Sequence, residues 1–268
     1  MFAFLLAGDN VELALMELKG ALRAEVGEIE VEVHDRVAVV EGLTDEEAER
    51  VVRRLARTHA VYRVGEGRVR VEIGGERRPV RLLAEREKLS DRKPHKRPEF
   101  MPDSTEPFLA RVLVNLAEAR RGERLLDPMC NVGGILIEAG LIGCVPVGVE
   151  VREELVERTE RNLRHYRIEE YELHTGRAEE VDEILDEPVQ AAAVDPPYGR
   201  SSYIEGGPVE RLLLNTLDAL SEVVEGKVSL TAPVDAWEEV KESVKRVEGE
   251  VRDRVHGSLT RVIAVVVP

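Results

Sequence analysis

The sequence predicts an α/β protein: a doubly wound parallel sheet closed by an antiparallel hairpin, preceded by a small α+β unit. Three observations carry this expectation. Short apolar strands alternate with helical spacing from residue 105 to the end. The last two strands meet across Gly257-Ser258. Residues 1–75 read β-α-β-β-α-β, the order of a ferredoxin-like unit.

In the first unit Phe2–Ala7 reads as a strand, and Val11–Ala24 carries apolar residues at helical spacing. Glu28–Val33 and Val37–Val40 form a hairpin across Asp35-Arg36. Thr44, with Glu47 three residues on, is suited to cap a helix over Asp45–Thr58. Val61–Val64 and Val69–Ile73 finish the unit as strands.

Residues 76–104 read as a linker, rich in proline and poor in apolar residues. Nine Lys or Arg stand between Arg77 and Arg97 against three acids, in a 268-residue chain whose net charge is −15. The acidic whole argues against a simple nucleic-acid binder, so any phosphate contact is expected where this positive charge collects. Abundant Glu and Arg with few Asn and Gln resemble a heat-adapted composition. No apolar run reaches the ~20 residues of a membrane span, and Met1–Ala7 reads as a strand, not a leader. Two cysteines, Cys130 and Cys144, make no disulfide framework, which points to the reducing cytoplasm.

The catalytic part is expected over residues 105–268. Its helices are Phe108–Arg120, Ile135–Leu141, Glu153–His165, Ala178–Leu185, Pro208–Val224 and Asp235–Val247. Its strands are Arg124–Asp127, Val145–Glu150, Tyr171–Thr175, Val189–Asp195, Lys227–Thr231, Glu250–His256 and Thr260–Val267.

In such a sheet a ligand lies at the carboxyl ends of the strands, where strand order reverses. Asp127 ends the first strand, and Gly133-Gly134 let the backbone turn closely beneath a cofactor. Glu150 ends the second strand about twenty residues on, where a carboxylate can accept both hydroxyls of a ribose. The turn lacks G-x-G-x-x-G, which disfavours a nicotinamide dinucleotide. Cys130 reads as a small buried residue, and no metal site is expected.

The strongest motif is Asp195-Pro196-Pro197-Tyr198-Gly199, delivered by the apolar strand Ala191-Ala192-Ala193-Val194. A ring amine is a poor nucleophile because its lone pair is delocalised. A carboxylate and neighbouring carbonyls accepting its N–H bonds favour attack on a methyl sulfonium. Pro196 and Pro197 stiffen that ledge, and Tyr198 offers a face on which a base can stack.

Arg97-Pro98-Glu99-Phe100-Met101-Pro102, Pro107–Ala117, Gly133–Gly140 and Asp195–Ser202 are similar to archaeal tRNA guanosine-10 N2-methyltransferases, over roughly residues 97–202. The resemblance implies a class I, Rossmann-like methyltransferase domain and transfer of methyl from S-adenosylmethionine to N2 of a tRNA guanine, leaving S-adenosylhomocysteine. It implies a cofactor held over Asp127, Cys130, Asn131, Gly133, Glu150 and Ala178, and a catalytic ledge of Asp195, Pro196, Pro197 and Tyr198. Phosphates would meet Arg92, Lys93, Lys96, Arg97 and Arg200. A small zinc-binding activator protein is the implied partner besides tRNA. The chain departs from that pattern at Val132, where the family has a hydroxyl, and at Arg177, where it has an acid. Residues 1–75 read as a shortened THUMP-type region. Two other readings remain at this point: a methyltransferase for another RNA or DNA base amine, and a catalytically silent RNA-binding protein.

Overall fold

A computed structural model describes residues 1–197, 208–256 and 259–268. The chain divides into two units, Met1–Leu89 and Ser90–Pro268.

The first unit contains β1 (Phe2–Leu6), α1 (Val11–Glu25), β2 (Val31–His34), β3 (Val37–Val40), α2 (Asp45–Arg54), β4 (Thr58–Ile73) and β5 (Glu76–Glu85). The antiparallel sheet runs β2-β3-β1-β4-β5. Alternation on β1 sends Phe2, Phe4 and Leu6 to one face, where they pack with Leu18 and Leu22 of α1 and Val51 and Val52 of α2. The Thr44 capping box forms as the sequence predicts: the Glu47 N–H donates to Thr44 Oγ1 at 3.2 Å, and the Thr44 N–H to Glu47 Oε2 at 2.7 Å. Glu17, fully buried on α1, accepts the backbone N–H groups of Ala56 and Arg57, both at 2.7 Å.

The helix expected over Asp45–Thr58 stops at Arg54, and Thr58 already starts β4. Two larger expectations also change here. The separate strands over 61–64 and 69–73 are one strand, β4, whose pairing with β5 shifts register between Val64 and Val69. Gly65 and Gly67, both at φ +97°, sit inside that interruption. The expected linker over 76–104 begins with β5, so its first ten residues belong to the sheet. Arg77, Arg78 and Arg81 are ladder residues whose polar side chains suggested a solvated segment.

A short 3₁₀ turn, Leu89–Arg92, spans the boundary between the units, and a second, Pro94–Lys96, is followed by an irregular stretch to Glu106. The second unit continues as α3 (Pro107–Leu116), β6 (Arg124–Asp127), α4 (Gly134–Ile142), β7 (Val145–Glu150), α5 (Glu153–His165) and β8 (Glu172–Thr175). Then come α6 (Val181–Ile184), β9 (Val189–Val194), α7 (Val209–Val223), β10 (Val224–Pro233), α8 (Val234–Val240), β11 (Arg246–His256) and β12 (Leu259–Val267). The sheet order is β11-β12-β10-β9-β6-β7-β8. The five strands from β10 to β8 are parallel, and β12 runs antiparallel to both its neighbours. Helix α8 stops at Val240, short of the expected Val247, because Arg246 onward joins β11.

After β6 the chain winds outward to β8 and then returns to place β9 on the other side of β6. Strand order therefore reverses between β6 and β9, which opens a crevice at their carboxyl ends. Asp127 closes β6, and Asp195 follows directly on β9. Beneath the crevice, Leu126, Ala192, Val194, Val228 and Leu230 are buried with Trp237 in one core. No helix among the described residues is long and apolar enough to cross a membrane.

Candidate active site

The loop between β6 and α4 is built around its own backbone. Asn131 lies at φ +51° and Gly133 at φ +83°, so two of four consecutive residues take the left-handed conformation. Asparagine tolerates this region and glycine occupies it freely. A Cβ on Gly133 would lie 2.8 Å from Thr159 Cγ2. Helix α5 holds the loop from below: the Thr159 hydroxyl donates to the Asn131 carbonyl at 2.8 Å, and Asn162 Nδ2 to the Val132 carbonyl at 2.8 Å. Val132 is itself fully buried, so this position serves the core.

Glu150 is 7% exposed and faces the same loop. Its Oε2 accepts the Asn131 N–H at 3.0 Å, and its Oε1 the Arg152 N–H at 3.1 Å. Each oxygen keeps a further lone pair for a ligand hydroxyl. Asp127 is buried and accepts the Met129 N–H at 3.2 Å. Burial pushes its carboxyl well above the ordinary range. The Met129 hydrogen bond opposes that shift, and the neighbouring Asp195 and Glu150 carboxylates add to it. The Glu150 and Asp195 carboxylates thus lie near Asp127 at the crevice, and these two charges favour a cationic ligand.

Cys130 does not face that space. Its thiol sits in an apolar cluster with Leu136, Ile137, Leu163 and Ile168, while its N–H donates to Val149 and its carbonyl accepts from Gly133. Burial raises the thiol pKa well above normal, with Asp127 and Glu150 adding to the effect. The Cys130 side chain therefore serves the core, and its backbone anchors the loop. Ala178 is buried at the start of a 3₁₀ turn after β8, and Arg177 beside it pairs with Glu179 at 3.1 Å.

Asp195 is held from two sides. The Thr231 hydroxyl, fully buried at the end of β10, donates to Oδ1 at 2.5 Å. The Thr105 hydroxyl donates to Oδ2 at 2.9 Å. Neither threonine stands out in the sequence, because each meets Asp195 only through the fold. Pro196 is buried and Pro197 partly so. Tyr198 and Arg200 lie outside the described residues.

Thr105 comes from a strap formed by residues 97–105. Glu99 is tied to α5 twice through Asn162, at 3.0 and 3.1 Å, and through Arg158 and Arg161 at 3.0 and 2.7 Å. Arg158 also donates to the Phe100 carbonyl at 2.7 Å. Asp103 accepts from Asn131 Nδ2 at 3.1 Å. One short segment therefore touches both the loop after β6 and the carboxylate after β9.

The strap also corrects two expected phosphate contacts. Arg97 is 4% exposed; its Nε donates to the Arg92 carbonyl at 2.9 Å and its Nη2 to the Thr105 carbonyl at 2.8 Å. Burial lowers its pKa, which the nearby Glu138 carboxylate opposes. Arg92 grips Glu138 of α4 at 2.7 and 3.1 Å. Both arginines are interior fastenings, not surface cations. Lys96 is exposed, beside Asp91 at 3.2 Å, and Lys93 is half-buried.

A bound S-adenosylmethionine is consistent with this donor set. Among the described residues Asn131 Oδ1 is buried without a hydrogen-bond partner, an acceptor left open at the loop. The Glu150 and Asp195 carboxylates suit a sulfonium and an ammonium, and Gly133 leaves its position free of a side chain.

Comparison with known proteins identifies the family and the fold. The family described as "RMKL-like, methyltransferase domain" (UPF0020) matches residues 94–263. The chain is 42% identical over 185 residues to the tRNA (guanine(10)-N2)-dimethyltransferase of Methanothermobacter thermautotrophicus, covering 68% of this chain and 54% of that protein. It is 36% identical to the protein of the same name from Pyrococcus abyssi over 180 residues, 65% of this chain and 52% of that one. The chain thus spans about half the length of these relatives. The crystal structure of TrmN from Thermus thermophilus superposes with a TM-score of 0.60 over 98% of both chains at 17% identity, which shows the shared class I fold. With the strap, the loop after β6 and the ledge after β9 all inside the matched region, this chain belongs to the RMKL-like methyltransferase domain family.

Proposed function

We propose that the chain is a tRNA (guanine-N2)-methyltransferase, acting on guanosine 10 and using S-adenosylmethionine. The single observation that carries the reading is Asp195: a partly exposed carboxylate at the strand-order reversal, one strand away from the Asp127–Gly133 loop. The names of the archaeal relatives support tRNA as the substrate class.

S-adenosylmethionine supplies an electrophilic methyl group when bound. Asp127, Asn131, Gly133 and Glu150 are the residues proposed to hold it, Glu150 through ribose hydroxyls and Asn131 Oδ1 through a donor of the amino-acid part. Asp195 accepts an N–H of the guanine amine and keeps that nitrogen turned toward the crevice. Pro196 and Pro197 present carbonyls without competing donors. Tyr198 is the proposed stacking face. Lys93, Lys96 and Arg200 remain as proposed phosphate contacts. A small zinc-binding activator is a further proposed partner, and the cytoplasm the proposed site of action.

The test is methyl transfer from labelled S-adenosylmethionine to an unmodified tRNA transcript, followed by nucleoside mapping. N2-methylated guanosine at position 10, abolished by Asp195→Ala with cofactor binding retained, is the expected result. Label found only in duplex DNA, or in another nucleoside, would reject the substrate assignment. Addition of the activator is expected to raise turnover.

A further inference from the structure

Asp195 is the residue on which the proposed chemistry turns, yet an aspartate carboxylate is poorly fixed by its own chain. Rotation about its last bond is broad and nearly two-fold, so a lone carboxylate samples many planes. The backbone constrains only part of the problem: the residue before a proline is confined to extended conformations, and Pro196 imposes that on Asp195.

The remaining freedom is removed by two hydroxyls from separate parts of the fold. Thr231 follows Leu230, the β10 residue paired with Val194 of β9, so the sheet register delivers it beside Asp195. Its hydroxyl reaches Oδ1, and its complete burial leaves it little room to turn away. Thr105 reaches Oδ2 from the strap. Its backbone is fixed by Arg97 Nη2 on its carbonyl, and its Cβ would lie 3.1 Å from a Cβ built on Gly134. Among the described residues each oxygen takes one such donor, which sets the carboxylate plane and leaves acceptor capacity on each oxygen.

We propose that Thr105 and Thr231 are positioning residues that set the plane of the Asp195 carboxylate toward the acceptor amine. This rests on the Asp195 role proposed above. Because Thr105 sits two residues from Asp103, which holds Asn131, the strap ties the orientation of that carboxylate to the loop proposed to carry the cofactor. The arrangement is present before any ligand arrives. It requires a hydroxyl at each position, and the threonine methyl groups contribute only packing.

The test uses the full chain, with labelled S-adenosylmethionine and a tRNA transcript, and compares Thr105→Val, Thr105→Ser, Thr231→Val and Thr231→Ser. Each valine variant is expected to lower kcat by on the order of 10- to 100-fold, the scale of a small misplacement in a site. Cofactor Kd by calorimetry and KM for tRNA are expected to stay within about two-fold, because neither contact is made by these hydroxyls. Each serine variant is expected to recover most of kcat. In an Asp195→Asn background, Thr105→Val is expected to add no further loss, as for residues acting through one group. Valine variants with the parent kcat would overturn the proposal, as would serine variants as slow as valine. Melting temperature identifies a variant that does not fold; should Thr231→Val be one, the partly exposed Thr105 decides alone. If Asp195→Asn itself keeps the parent rate, the reading of Asp195 fails. If it is inactive while the valine variants match the parent, only the positioning role fails.

Discussion

Glu138 and Arg111 lie side by side in the interior of the larger unit, carboxylate to guanidinium at 2.7 Å, with almost no solvent reaching either. Arg92 closes on the other oxygen of the same carboxylate at 2.7 Å. One buried acid of α4 thus binds both α3 and the turn that leads into the strap.

Removing that acid leaves two arginines without their shared counter-charge. Glu138→Ala is expected to destabilise the protein by about 3–5 kcal/mol, the range for breaking a buried pair. Calorimetry should show the melting temperature falling by roughly 10 °C. A change of a degree or less would mean that water or another acid replaces Glu138.

Gly133→Ala places a methyl 2.8 Å from Thr159 Cγ2 at a φ of +83°. Either Thr159 moves, releasing the Asn131 carbonyl, or the loop does. A loss of about 1–2 kcal/mol in stability is expected, and the affinity for S-adenosylmethionine is expected to drop at least about ten-fold. Titration calorimetry reads both partners of that comparison; an unchanged Kd would place the cofactor elsewhere.

The raised pKa of Asp127 has a definite sign in stability. Its protonated form is favoured in the folded state, so its contribution is fully present below the ordinary carboxylate pKa of ~4. That contribution is lost as pH rises through the raised value. Asp127→Asn keeps the acceptor for the Met129 N–H and removes the titration. Without cofactor, the variant is expected to melt above the parent at neutral and alkaline pH, the gap narrowing toward pH ~4. Parallel curves across that range would show that Asp127 does not titrate there.

In the first unit, Glu17 takes the N–H groups of Ala56 and Arg57 where the chain leaves α2 for β4. Glu17→Ala takes the carboxylate from one buried and one partly buried N–H and is expected to destabilise this unit by about 2–3 kcal/mol. Hydrogen exchange at Ala56 and Arg57 should accelerate while amides of the second unit keep their rates.

Most of the sheet was legible because its signals are local. Val145–Glu150 and Glu153–His165 fall where apolar runs and helical spacing put them. The Asp127 turn could be read because its glycines report backbone shape. The segment around Arg97 misled, since basic residues and prolines describe solvated linkers and buried staples alike. Its true role depends on Glu138, 46 residues away from Arg92. A clue was present: Glu138 interrupts the apolar run Gly134–Ala139, and a charge in such a run needs a buried partner. Thr105 and Thr231 gave no clue, because a threonine whose hydroxyl meets an acid 90 or 36 residues away looks like any other.

The strap has a practical consequence for where this catalytic unit starts. A shortened version beginning at Glu106 would retain α3 and every strand from β6 to β12. It would lose the hydroxyl on Asp195, the carboxylate on Asn131 and the guanidinium beneath them. It would also lose Arg92 from buried Glu138, so such a fragment is expected to be less stable as well as idle, and a working piece is expected to begin before residues 97–105, which belong to no helix or strand.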